Sequence, residues 1–106
     1  MAVYEMRTYN VQVGKMPEAI GHYQKLGWPA LEKHAKGHLV GYFVSDTGPL
    51  HQLVHLWKFE DDNDRRAFWK RLFADEAFQE FAKNFRPLVQ NQNVQLLLAA
   101  PWGPHP

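Results

Sequence analysis

Residues 38–59 constrain this chain more than any other stretch. "HLVGYFVSD" and "HQLVHLWKFE" are rich in β-branched and aromatic residues, and "TGPL" between them supplies Gly48 and Pro49, so the segment reads as a β-hairpin. Its apolar residues do not keep to one face. Leu39, Val40, Tyr42, Phe43 and Val44 fall on both sides of a strand, as do Leu96, Leu97 and Leu98 later in the chain. Strands apolar on both sides need cover on both sides.

The remaining segments supply one of those covers. Residues 3–11, with Val, Tyr and Thr, read as a strand stopped by Gly14. From Lys15 to about His34 the period changes: Met16, Ala19, Ile20, Tyr23, Leu26, Ala30 and Leu31 recur three or four apart, which predicts an amphipathic helix. Pro17 suits its first turn, Pro29 should kink or restart it after Trp28, and Gly37 ends it. "DDNDRRAFWKRLF" places acids before bases and predicts a helix from near Asp61, with Asp75 as the N-cap of a second short helix closed by Pro87. Residues 93–100, "NVQLLLAA", read as the last strand.

The order strand, helix, strand, strand, helix pair, strand is the split βαβ arrangement of an α+β, ferredoxin-like βαββαβ domain. Its sheet is antiparallel, its first strand is interior, and its helices lie on one face. The second face then calls for another copy of the chain, two sheets pairing face to face into a dimeric α/β barrel. At 106 residues the chain reads as one domain, with 101–106, "PWGPHP", a Pro-rich tail expected to run along a surface, the partner's included.

Composition removes several functions. Twelve basic and eleven acidic residues leave no basic tract, so neither nucleic acid nor an anionic membrane is an expected partner. The absence of cysteine removes thiolate catalysis and Cys-ligated metals, and no signal or membrane span is legible; the expectation is a cytoplasmic homodimer. GxGxxG, Walker, GxSxG and HExxH patterns are missing, and with them nucleotide-dependent, serine-hydrolase and zinc-protease chemistry.

Taken in order, "YEMRTY" at 4–9, "VGYF" at the hairpin's opening, "GPLHQLVHLWKFED" across its turn and second strand, the "DRR" helix start and "RPL" at 86–88 resemble the NIPSNAP family of dimeric ferredoxin-like α/β-barrel proteins. The resemblance covers nearly the whole chain and implies fold and dimerisation more than chemistry. Relatives with the same barrel include cofactor-independent monooxygenases of aromatic polyketides or quinols, haem-degrading enzymes and stress-response proteins. A haem-degrading relative would carry its axial histidine between Asp61 and Pro87, where this chain has none, so no cofactor is expected.

Two groups of residues could carry chemistry. Alternation puts Glu5, Arg7 and Tyr9 on one face of a central strand, facing His55 and Trp57. As structure, Glu5 and Arg7 are a salt bridge that satisfies itself or fixes the register against a dimer mate, and the partner is the expectation. As a site, Arg7 holds an anionic or enolate oxygen while Glu5 or His55 moves a proton, in a pocket walled by Tyr9, Tyr42 and Trp57 that takes a small apolar or aromatic ligand. The expected function is accordingly a structural, regulatory or small-ligand-binding dimer, the alternative a cofactor-independent monooxygenase, isomerase or cyclase of a small aromatic or quinone-like substrate.

The histidines and acids give no metal motif. His51 and His55, four apart on a strand, would stand roughly 13 Å apart. His34 and His38 straddle Gly37 and should serve the helix's last carbonyls, while His22 and His105 should be solvated. Asp61, Asp62 and Asp64 fit a helix start better than a cation site. Phe68, Trp69, Leu72, Phe73, Phe78, Phe81 and Phe85 form a stripe expected to be core, with lining for a planar ligand as the alternative.

Overall fold

The computed structural model describes residues 2–106. Strand β1 (Val3–Val11) is followed by α1 (Met16–His22), a π-helical turn (Tyr23–Gly27) and α2 (Trp28–Ala35). The hairpin is β2 (Leu39–Val44) and β3 (Gln52–Phe59); then come α3 (Asp62–Phe73), α4 (Glu76–Phe85), a 3₁₀ turn (Arg86–Leu88) and β4 (Val89–Leu98). The sheet is antiparallel with order β2-β3-β1-β4, so β1 is interior, as the split βαβ order requires.

Capping follows the sequence closely. The Asp61 carboxylate accepts from Asp64 N, and that of Asp75 accepts from Ala77 N and Phe78 N, each satisfying amides that a helix start leaves free. The restart at Pro29 has a specific device. Trp28 N donates to Tyr23 O, one residue beyond the α-helical partner, and this widened turn lets the chain enter Pro29 without a missing bond inside a regular helix. Gly27 fits there because a Cβ would stand 2.7 Å from Phe81 Cε1 and 2.9 Å from Tyr23 Cδ1.

Two apolar clusters fill the space between sheet and helices. One gathers Val11, Ala19, Leu53, Phe81, Phe85 and Leu88, the other Leu31, Ala35, Trp57, Phe59, Phe68 and Leu72; Tyr23 and Phe78 pack against both. Along β3, Leu53, His55, Trp57 and Phe59 are buried, while Val54, Leu56 and Lys58 on the other side are half-buried. Only one side of the sheet is therefore sealed by the chain's own helices. On the open side Tyr4 Oη donates to Pro106 O at 2.7 Å and Lys58 Nζ donates to the same oxygen at 3.1 Å, so the Pro-rich tail lies across its own sheet.

Three sequence expectations need correction. The last strand begins at Val89 rather than 93: the amide-rich "QNQN" at 90–93 pairs with β1 because an edge strand need not carry apolar side chains. Asn10 Nδ2 donates to Asn91 Oδ1 at 2.6 Å and Gln52 Nε2 to Asn10 Oδ1 at 2.9 Å, a side-chain amide ladder across three strands. His51 precedes β3 with φ 61°, in the loop, so it shares no strand face with His55. Leu96 and Leu98 lie on the helical side of β4 yet are 48% and 66% exposed, because this edge reaches beyond the helices.

Candidate functional site

β1 and β3 place the central residues by register. Glu5 stands opposite Trp57 and Arg7 opposite His55, and paired side chains project from the same side of the sheet. That side is the helical one. The expectation that Glu5 and Arg7 point at a partner copy is corrected: alternation says they share a side, and only the helices' positions say which.

Glu5 is fully buried and serves as the hub. Its Oε2 accepts from Arg7 Nη1 at 3.0 Å, while Oε1 accepts from Arg65 Nη1 at 2.8 Å and Trp69 Nε1 at 3.2 Å. Arg65 and Trp69 are one turn apart on α3, so a single helix face delivers both donors. Arg65 also donates through Nε to Asp62 at 3.0 Å. Glu5 thus faces two guanidiniums, of which Arg65 has a second carboxylate and Arg7 does not.

Arg7 is fixed on three sides. Its Nε donates to Tyr9 Oη at 2.9 Å, its Nη1 to Glu5, and its Cζ lies 4.4 Å from the centre of the Trp69 ring, a cation–π contact. A guanidinium has five N–H donors. Burial alone would pull the Arg7 guanidinium down, but Tyr9 and Glu5 outweigh it and hold it above its ordinary value, so Arg7 is a permanent cation.

These side chains border a cavity of about 360 Å³ between sheet and helices. Arg7, Tyr9, His55 and Trp57 form its sheet side, Trp69, Phe78 and Phe81 its helical side, and Arg86, Asn91 and Gln92 add polar groups. His55 is 4% exposed and stands among Tyr42, Tyr9 and Tyr23, with ring centroids 4.4, 5.0 and 5.4 Å away. Burial, assisted by the Arg7 charge, lowers its pKa to about 3, so the imidazole is neutral at physiological pH. Burial pushes the Tyr23 and Tyr42 phenols up, keeping them protonated.

Of the residues singled out from sequence, Arg7, Tyr9, His55 and Trp57 line this cavity, and Glu5 is buried behind Arg7 without lining it. Tyr42 does not line this cavity but an adjoining one, beyond His55. Arg65 and Trp69 were missed as the other donors to Glu5; the i,i+4 spacing of an arginine and a tryptophan after "DD" was the available signal. In the stripe on α3 and α4, Phe68 and Leu72 are buried away from the cavity, while Trp69, Phe73, Phe78, Phe81 and Phe85 line it.

Several other titratable groups have structural partners. His34 Nε2 lies 2.8 Å from Asp75 Oδ2, beside Lys33 Nζ at 2.9 Å, rather than on the helix's last carbonyls. His38 Nδ1 lies 3.1 Å from Lys58 O. Asp62 pairs with Arg65 and Arg66, and Asp64 accepts from Glu60 N. Among the described residues no cluster of three or more His, Asp or Glu could hold a metal, and no helix is long and apolar enough to cross a membrane.

Comparison with known proteins places the fold and the family. NipSnap homolog 3A of Homo sapiens is 30% identical over 101 residues, which are 93% of this chain but 40% of the human protein. The chain therefore spans about two-fifths of that relative. A NIPSNAP family protein of Agrobacterium tumefaciens superimposes with a TM-score of 0.90 at 30% identity, covering 98% of each chain. A putative antibiotic biosynthesis monooxygenase of Caulobacter crescentus shares the fold, with a TM-score of 0.68 at 14% identity over 93% of this chain and 90% of that one. The NIPSNAP family's own sequence model matches residues 4–104, and the chain belongs to the NIPSNAP family.

Proposed function

We propose that this domain binds a small, planar aromatic anion, such as an arene carboxylate or phenolate, in the cavity between sheet and helices. The observation that carries the reading is the arrangement around Glu5, where one carboxylate meets two guanidiniums. Arg7 keeps N–H donors beyond those given to Tyr9 and Glu5, and it borders a volume walled by Trp57, Trp69, Phe78 and Phe81. A cation held by packing inside aromatic walls matches an anionic head on a flat apolar body.

Binding is favoured over turnover by His55. An imidazole with a pKa of about 3 is too weak a base to take a phenol's proton unaided. The second reading, oxygenation of a quinol or phenol without cofactor, gains from the place of His55 on the same wall, where an arriving anion would raise its basicity. The Caulobacter fold neighbour, described as a putative antibiotic biosynthesis monooxygenase, is consistent with that reading by fold alone.

We infer too that the open side of the sheet pairs with a second copy. Met6, Val54, Leu56 and Leu97 support this, because none is fully covered within the chain. Sedimentation at micromolar concentration is expected to give twice the chain mass; a stable monomer would overturn the pairing.

For the ligand, 2-naphthoate titrated against tryptophan emission is the direct probe, since Trp57 and Trp69 both line the cavity. Saturable quenching is expected, weakened at least tenfold in Arg7→Met. Equal binding by folded Arg7→Met would remove Arg7 from the site. Catalysis is tested separately by offering quinols and polyketide-like phenols with oxygen to wild type and Arg7→Ala, where turnover dependent on Arg7 would favour the oxygenase reading.

A further inference from the structure

A second cavity of about 320 Å³ adjoins the first. Ile20, Trp28, Tyr42, Phe43, Val44 and Leu53 line it, and it carries no charged side chain. Tyr23 and His55 are the residues common to both linings, and their rings meet edge to face with centroids 5.4 Å apart. The two cavities are therefore separated by one pair of rings.

Tyr23 is also the first residue of the π-helical turn. Such turns interrupt the regular bond ladder and recur at functional sites. Here the turn has a local consequence, because Gly27, at its other end, leaves room for the Tyr23 ring that a Cβ would take. The partition is set by helix geometry on one side and held by His55 on the other.

We propose that the two cavities are lobes of one site that meet at Tyr23 and His55, and that the site accepts a linear amphiphile: a medium-chain carboxylate with its head on Arg7 and its tail in the second lobe. The assignment rests on the anion site proposed at Arg7 and extends its ligand. The head follows from charge, since the second lobe has no cation and the first has Arg7 and Arg86. The tail follows from lining. Apart from the Gln24 amide, the Trp28 indole N–H and the hydroxyls of Tyr23 and Tyr42, the side chains of the second lobe are apolar or the neutral His55, so an alkyl chain displaces few polar contacts there. Together the lobes fall in the size range of ordinary small-molecule sites, which runs from about 300 to 1,000 Å³.

The test compares hexanoate, octanoate and decanoate, below their micellar concentrations, with 2-naphthoate on the full chain. Each added methylene that enters the second lobe is expected to tighten binding up to about fourfold. Val44→Trp fills the second lobe from the half-exposed edge of β2, and Gln24→Trp does so from the helix. Both variants should reduce decanoate to the affinity of hexanoate while 2-naphthoate binds as in wild type, which also reports an intact fold. A decanoate affinity no better than that of hexanoate in wild type, or an advantage that survives both variants, would overturn the second lobe. If 2-naphthoate alone binds, the aromatic-anion reading stands and this extension falls. If the chain-length gain appears without 2-naphthoate binding, the extension stands and the aromatic reading falls.

Discussion

Replacing Glu5 by glutamine tests whether the buried network is held together by charge. The substitution keeps the shape of a fully buried side chain and removes the carboxylate that Arg7, Arg65 and Trp69 share. Breaking a buried ion pair from one side typically costs about 3 to 5 kcal/mol, because the abandoned charge stays desolvated. Arg65 retains Asp62 as a partner, so the loss falls mainly on Arg7. The amide oxygen of glutamine still accepts one hydrogen bond, returning about 1 kcal/mol, and leaves a net cost of about 2 to 4 kcal/mol. Urea unfolding followed by tryptophan emission reads this directly. With a slope of about 1.5 kcal/mol per molar, the midpoint should fall by roughly 1.3 to 2.7 M. Arg7→Met in the Glu5→Gln background should recover at least about 1 kcal/mol relative to additivity, since the stranded cation is then gone. A Glu5→Gln cost under about 1 kcal/mol with no coupling to Arg7 would refute the reasoning.

Other substitutions separate packing, capping and titration. The folded pKa of His55 is depressed to about 3, so below about pH 6.5 the unfolded chain binds its proton first; stability should fall by up to about 1.4 kcal/mol per unit as pH drops from 6.5 toward 3, and His55→Phe should flatten that part of a pH series of urea midpoints. Asp75→Ala should cost about 1 to 2 kcal/mol by uncapping α4, an effect seen in thermal melts at neutral pH. Its neighbours His34 and Lys33 hold the Asp75 carboxyl well below the usual range, so the wild-type contribution should persist above about pH 4 and be lost only in stronger acid. Gly27→Ala should destabilise by about 1 to 3 kcal/mol, because Phe81 and Tyr23 must both yield to the new Cβ.

Much of the fold was legible because local chemistry and global order agree. Gly48 and Pro49 mark the hairpin, Asp61 and Asp75 mark two helix starts, and element order alone makes β1 central. β4 was shortened in the sequence reading because apolar pattern was the signal sought, and an amide-rich edge strand gives none at 90–93. The site was half legible. A period of two puts Glu5, Arg7 and Tyr9 together but is blind to which side of the sheet the helices take. Arg65 and Trp69 lie sixty and more residues from Glu5, so only the packing of α3 on the sheet brings them there. Tyr42 lines the adjoining cavity rather than the one Arg7 borders for a similar reason: pairing places it opposite His55, and only the packing of the helices decides which cavity each side of that ring meets.

The central claim is that Arg7 presents a cation to the interior cavity, and side-chain proton–nitrogen NMR during a 2-naphthoate titration tests it most directly. Saturable shifts of the Arg7 guanidinium and the Trp69 indole are expected, with the exposed Arg66 guanidinium unmoved. Shifts confined to surface groups such as Arg66, or an Arg7 signal that stays still while the ligand binds, would contradict it.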